Sequence, residues 1–255
     1  MSVKYSTRSS PLWIIISFGV AAILAATAIL GGVSFLEMPL WVRIAFGALA
    51  LLAGATGALS LSLVHLVSDG DLQRAYRDAL IVRIRWNGDG RALDIGTGTG
   101  LVAIGLARHF ADATVVGCDT WTGAGPTQRI CEQNARAEGV AERVRFEAAD
   151  ARALPYTDEE FDAVTSKDVF HIIHSEKHKL GLFQEALRVL QPGGAFAFIE
   201  PYGIKSAYSD VEKLVIALRA EGLTSVHFAW LDEVGKIPRL LRPIVGRSGI
   251  VYGVK

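Results

Sequence analysis

The chain has 255 residues, with 26 Lys and Arg against 26 Asp and Glu, so its formal net charge is zero. That balance excludes a protein that holds nucleic acid through bulk electrostatics. Cys118 and Cys131 are its two cysteines, too few for a disulfide framework or a thiolate metal cluster.

The chain is 51% hydrophobic, and the excess gathers in the first 67 positions. Residues 11–36 carry no charge, and residues 44–67 have His65 as their only ionisable group. Each run exceeds the roughly 20 apolar residues that a spanning helix needs. Glu37, Pro39 and Arg43 break the pattern between them, and Trp13 and Trp41 stand near run ends, where amphipathic rings favour the interface. The pattern predicts a two-helix transmembrane hairpin over 11–67 behind a short tail, 1–10. Ala22, Ala25, Ala26 and Gly32 opposite Ala50, Gly54 and Gly57 would let two helices approach closely, although plain composition explains these small residues equally well. Lys4 and Arg8 on one flank and Arg74, Arg77, Arg83, Arg85 and Arg91 on the other outnumber Arg43 in the loop. Both termini and the following domain are therefore expected in the cytoplasm. A cleaved signal peptide is the rival reading, disfavoured by the length of the first run and by the second run behind it.

Residues 69–86 carry Leu72, Tyr76, Ala79, Leu80 and Ile84 at helical spacing. This connector, 68–89, is read either as a basic helix along the headgroups or as a helix packed on the following domain; the second is favoured. Asn87-Gly88-Asp89-Gly90 is a turn cluster and sets the expected boundary of a domain over 90–255. Apolar runs predict strands at 91–95, 114–119, 144–148, 161–166, 195–200, 223–231 and 250–254. Helical periodicity appears at 101–110, 128–138, 176–190 and 206–220, with Gln191-Pro192-Gly193-Gly194 as a stop. Alternating strand and helix gives an α/β, doubly wound, Rossmann-like sheet, whose ligands lie beyond the carboxyl ends of its strands.

The central stretch is Leu93-Asp94-Ile95-Gly96-Thr97-Gly98-Thr99-Gly100. It reads as a buried strand, a glycine turn and a helix N-terminus, a nucleotide-type site. The dinucleotide fingerprint is G-x-G-x-x-G; here the spacing is G-x-G-x-G with an acid two residues ahead. A glycine turn without a ligand is the plain alternative. Asp119 ends the second strand, where a carboxylate accepts both ribose hydroxyls of a nucleoside; otherwise it is a turn or cap residue. Asp150 follows the third strand, placed to take an adenine amino group while the Ala151 backbone reads the ring edge. The alternative for Asp150 is an Asx turn.

These residues, with Leu154-Pro155 ahead of Phe161-Asp162-Ala163-Val164 and with Arg188-Val189-Leu190-Gln191-Pro192-Gly193-Gly194, resemble class I S-adenosylmethionine (SAM) dependent methyltransferases of the small-molecule and lipid-type branch. The resemblance runs from Gly90 to the C-terminus and implies a seven-stranded sheet with its last strand antiparallel. It implies SAM as cofactor, with Asp94 near the methionine amino end and Gly96, Thr97, Gly98 and Gly100 against the methionine and ribose. It places residues 166–174 near the methyl group, Lys167 beside the cofactor and Asp168 toward the substrate. His171 and His174 are the candidate general bases, since imidazole titrates near working pH; surface or cap histidines are the plain alternative. His178 would complete a metal-like spacing, but no carboxylate or cysteine accompanies it, so no metal is expected. Trp121 either covers the adenine or sulfonium, by cation–π attraction, or packs as a lid. Cys131 is read as packing.

The Asn-Pro-Pro-Tyr type tetrapeptide of amino-group methylators is missing, and Glu200-Pro201-Tyr202 follows the wrong strand for it, so nucleic-acid substrates are disfavoured. The expectation is a membrane-anchored methyltransferase acting on a lipid-type or other hydrophobic small-molecule acceptor at the cytoplasmic face. Membrane lipids are its partner, with the apolar-basic loop 240–247 touching headgroups. Two alternatives stay open: a small soluble acceptor such as a thiol, with the hairpin only an anchor, and a non-catalytic SAM-binding assembly protein.

Overall fold

The computed structural model describes residues 38–67, 70–122, 127–173, 179–208, 210–232 and 247–255. The chain divides into two compact units, with the break at Asp69–Gly70.

Within the first unit, helix α1 runs over Leu40–Val67. It starts earlier than the uncharged run suggests, so Arg43 lies inside it rather than in a loop. Pro39 sits just ahead, where its missing N–H costs nothing, and its carbonyl accepts the N–H of Val42 at 2.9 Å. Leu40–Ala58 is long and apolar enough to cross a bilayer by length and composition. Leu40, Trp41, Ile44, Leu49, Leu51 and Leu52 are all exposed. The expected first span, 11–36, lies outside the described residues.

The second unit opens with helix α2, Gly70–Arg83, ahead of the Asn87–Gly90 turn. Leu72, Tyr76, Ala79, Leu80 and Ile84 are all buried in one core with Leu101, Val102 and Ile104. The connector is thus a packed helix of this unit. Seven strands follow: β1 Arg91–Ile95, β2 Thr114–Asp119, β3 Val144–Ala148, β4 Phe161–Lys167, β5 Leu190–Glu200, β6 Ser225–Trp230 and β7 Gly249–Val254. Helices α3 Leu101–His109, α4 Gln128–Ala137, α5 Leu180–Arg188 and α6 Val211–Ala220 lie between them. The sheet order is β3-β2-β1-β4-β5-β7-β6. β1 to β5 are parallel, and β7 is antiparallel to both β5 and β6. Strands β1 and β4 are almost wholly buried, as central parallel strands covered on both faces must be. One core lies on the α2–α3–α4 side. The other, rich in phenylalanine, gathers Phe161, Phe170, Phe183, Phe196 and Phe198.

Several boundaries depart from the sequence reading, and two of them have a clear local cause. β5 begins at Leu190, not 195, and runs through Pro192-Gly193-Gly194; the register with β4 shifts between Phe161↔Leu190 and Ala163↔Ala195. A bulge absorbs the residues that local propensity marks as a stop. α6 begins at Val211 rather than 206, because Asp210 caps it, accepting from the N–H groups of Glu212 and Lys213.

Arg188, at the end of α5, fastens the loop ahead of β4. Its guanidinium donates to the carbonyls of Tyr156 at 2.9 Å and Leu154 at 3.1 Å. It also pairs with Glu185 at 2.9 Å and Asp158 at 2.7 Å, and these two carboxylates raise its pKa. Arg188→Met takes the donor from two carbonyls and leaves the Glu185 carboxylate with only the Leu154 N–H, at 2.7 Å. We expect urea unfolding to show a loss of roughly 2–4 kcal/mol.

Candidate functional site at the carboxyl edge of the sheet

β1, β2, β4 and β5 deliver an acid or a polar turn to one edge. Asp94 lies within β1 and is 1% exposed. Its Oδ1 accepts from the Thr165 hydroxyl of β4 at 2.9 Å. Its Oδ2 is buried and has no hydrogen-bond partner, and the buried Thr97 Oγ1 has none either. Burial lifts the Asp94 pKa to about 6, against the pull of the nearby Thr97 and Thr165 hydroxyls. A buried oxygen left without a donor is costly; the Thr97 hydroxyl and the Ala103 N–H are the protein groups that ease the Asp94 carboxylate from this side.

The glycine turn follows β1 and carries α3. Gly96, Gly98 and Gly100 all have positive φ. A Cβ on Gly98 would meet only the Gly96 carbonyl at 4.0 Å, which is open space, so a ligand can lie flat against this backbone. The loop is held from behind: Thr97 N–H donates to the Cys118 carbonyl at 2.9 Å, and the buried Asn134 amide donates to the Thr99 carbonyl at 3.0 Å.

Asp119 ends β2 as expected and is tied to this turn. Its Oδ2 accepts the Gly98 N–H at 2.9 Å and its Oδ1 the Trp121 N–H at 3.0 Å. Trp121, at φ 43, returns its indole N–H to the Gly98 carbonyl at 3.1 Å. Trp121 therefore clips the glycine turn to β2 as a packed ring. The Cys131 thiol donates to the same carbonyl at 3.0 Å. Burial, with the charge of Asp119, pushes that thiol's pKa up to about 12, so it stays neutral and packs.

Asp150 forms the Asx turn. Its Oδ1 accepts the Arg152 N–H at 2.9 Å, and the Arg152 guanidinium reaches both carboxylate oxygens at 3.0 Å. These bonds lower its pKa. An adenine amino group would have to share or displace that arginine. Ala151 is buried beside it, and Ala149 N–H donates to the Asp119 carbonyl at 3.0 Å, which joins the β3 edge to the β2 edge.

Lys167 and Asp168 end β4. The Lys167 ammonium donates to Gln73 of α2 at 2.5 Å and to Asp168 at 2.7 Å and lies 6.0 Å over the Tyr76 ring. It is thus bonded toward α2, while its charge reaches Asp94. Asp168 takes a positive φ of 58 and turns the chain into a single 3₁₀ turn, Phe170–Ile172. His171 sits there, its side chain 23% exposed, with Nδ1 2.8 Å from Glu200 Oε2. His174 and His178 lie outside the described residues. Among the described residues, no group of three or more His, Cys, Asp and Glu gathers to hold a metal.

Glu200 is the residue that sequence reasoning missed. It ends β5 wholly buried, and its signal matches that of Asp119, an acid closing an apolar strand, here Ala195 to Ile199. Thr165 and Asn134 gave no comparable signal, because a polar residue in a buried strand or helix is recognised only once its partner is placed.

The sheet order and its helices define a Rossmann-like methyltransferase fold. Residues 93–198 match the family model described as a methyltransferase domain. The chain is 36% identical over 139 residues to a ubiquinone/menaquinone biosynthesis C-methyltransferase of Geobacter sulfurreducens, covering 54% of this chain and 52% of that protein. It is 42% identical over 110 residues to a demethylmenaquinone methyltransferase of Thermus thermophilus, covering 43% and 46%. The chain thus spans about half the length of the curated relatives it matches. Among solved structures, the [4+2]-cyclase SpnF superposes with a TM-score of 0.56 at 23% identity, covering 71% of this chain and 81% of that one.

Proposed function

We propose that this protein is a SAM-dependent methyltransferase that acts on a hydrophobic acceptor of the quinone type, in its reduced form. The observation that carries the cofactor is the pair of partnerless buried oxygens, Asp94 Oδ2 and Thr97 Oγ1, beside the open backbone face of Gly98. An ammonium donates to both kinds of oxygen, and a sulfonium-linked ribose lies against bare glycine backbone without a clash. Because the [4+2]-cyclase SpnF shares this fold, fold alone does not choose methyl transfer. Two C-methylating or demethylmenaquinone-methylating relatives at 36% and 42% identity favour it.

Bound SAM supplies a methyl group on a sulfonium, which departs as a thioether when the acceptor's electron pair takes the methyl carbon. Asp94 holds the amino end, Asp119 exchanges its Gly98 bond for the ribose hydroxyls, and Asp150 with Ala151 flanks the base. Lys167 and Asp168 shape the wall beneath α2. His171 removes the acceptor's proton, which makes electron density available at the acceptor atom; His174 is the second candidate for that task. The chain's main contribution is alignment of the reacting groups.

The helix Leu40–Val67, with 11–36 as a companion span, would anchor the enzyme with its catalytic unit on the cytoplasmic side. That places it beside membrane lipids and the leaflet that holds such an acceptor. We expect the full chain to remain in carbonate-washed membranes. Incubation with methyl-labelled SAM and reduced demethylmenaquinone should move the label into the quinone fraction. Label in a thiol instead would select the soluble-acceptor reading, and saturable SAM binding without label in any extract would select the assembly-protein reading.

A further inference from the structure

Glu200 does more than finish a strand. Its Oε1 accepts the backbone N–H groups of Val169 and Phe170, each at 2.7 Å. Its Oε2 accepts the N–H of His171 at 3.2 Å and faces the ring Nδ1 of the same residue at 2.8 Å. Glu200 is fully buried, so the carboxylate has no water to choose instead. Both oxygens already act as acceptors, and a carboxylate that only accepts needs a proton on the partner. The ring nitrogen at 2.8 Å is then the N–H, and in the neutral ring the lone pair belongs to Nε2.

We propose that Glu200 is a positioning residue that locks His171 in the Nδ1–H tautomer and so makes Nε2 the base for the acceptor's proton. This rests on the methyltransferase reading above and assigns the base atom within it. A hydroxyl proton of the reduced acceptor passes to Nε2; the oxygen pair it leaves behind pushes into the ring, the ring carbon's π pair forms the new bond to the methyl carbon as the carbon–sulfur bond breaks, and that carbon then loses its own hydrogen as a proton to solvent to restore the aromatic ring. The ring becomes an imidazolium, whose charge Glu200 offsets at 2.8 Å. The proton then leaves to solvent from the ring, whose side chain is 23% exposed. The backbone bonds supply the rigidity: three consecutive N–H groups and one ring nitrogen converge on one side chain, so the turn and the ring orientation are set together. A buried carboxylate that fixes a catalytic imidazole's tautomer is a general device.

A purely structural Glu200 would hold the turn and leave the tautomer free, and the two roles separate in Glu200→Gln. The amide oxygen still accepts from Val169 and Phe170, the two shorter turn bonds, but its NH2 replaces Oε2, gives up the His171 N–H at 3.2 Å and donates to Nδ1. The hydrogen is driven to Nε2, and the outward lone pair is lost. The test is ¹⁵N-histidine NMR on the full chain in detergent at pH 8, with the His171 signals identified by their loss in His171→Gln. The wild type should show a protonated Nδ1 and a bare Nε2, and Glu200→Gln the reverse. The variant's kcat should fall at least about 100-fold, while calorimetric SAM affinity stays within about threefold, well under 1 kcal/mol. A wild-type His171 carrying its hydrogen on Nε2 overturns the proposal, even if Glu200→Gln fails to fold. So does a flipped tautomer with kcat unchanged. A wild type with the Nδ1–H tautomer that neither binds SAM nor turns over would instead overturn the methyltransferase reading and leave the tautomer assignment standing.

Discussion

Gly96→Ala should both unfold more easily and bind SAM poorly. Gly96 has φ +67, and a Cβ there would sit 2.1 Å from Val169 Cγ2. Val169 cannot step aside freely, because its N–H is one of those held by Glu200 at 2.7 Å. The first glycine of the turn and the His171 turn are therefore pressed together, and a methyl group at Gly96 wedges them apart. Left-handed strain and overpacking together amount to roughly 2–5 kcal/mol. Gly98→Ala is the control. It also has positive φ, but its Cβ meets only one carbonyl oxygen at 4.0 Å. That variant should lose only about 1–2 kcal/mol, yet bind SAM at least about tenfold more weakly, a cost of 1.4 kcal/mol or more, because its methyl fills the ligand's space. Urea unfolding and calorimetry on both variants decide the matter. A Gly96→Ala protein as stable as wild type would show that the two turns are not coupled.

That coupling explains what the sequence made legible and what it hid. Asp94, the glycines and Asp119 were readable because strand, turn and helix are consecutive and their chemistry is local. The packed face of α2 was readable because five apolar residues recur at helical spacing. Glu200 was passed over although it closes an apolar strand, because no glycine turn follows it. Its partners lie about 30 positions upstream in the chain, and parallel pairing of β4 with β5 is what brings them together. The early start of β5 has a similar cause: pairing with β4 outweighs the local stop signal of Pro192-Gly193-Gly194. Trp121 and Asp150 show the limit in another way. Residue type allowed a ligand role or a turn role for each, and only placement revealed that Trp121 clips Gly98 and that Asp150 holds Arg152.

Asp94→Asn should trade binding for stability in a manner that depends on pH. The folded-state pKa of Asp94 is about 6, raised from 3.8 by burial, so the fold binds this proton more tightly than the unfolded chain does. The contribution of Asp94 to stability is then fully present below about pH 4 and is lost as pH rises through about 6. Above that, the ligand-free protein holds a buried charge at a cost of about 3 kcal/mol. Asn keeps the bond from Thr165 to Oδ1 and never ionises. Whatever constant offset its NH2 group adds, the stability of the variant relative to wild type should rise by about 3 kcal/mol between pH 4 and pH 8, read from urea unfolding at each pH. SAM binding should move the other way. Removing one partner of a buried charge pair costs about 2–5 kcal/mol, so at pH 8 the variant should bind at least about 30-fold more weakly. Wild-type affinity itself should improve from pH 5 to pH 7 as Asp94 ionises to meet the ammonium. A stability difference flat with pH would mean that Asp94 is not the buried acid described. Undiminished SAM binding by the variant would mean that the cofactor's amino end is held elsewhere.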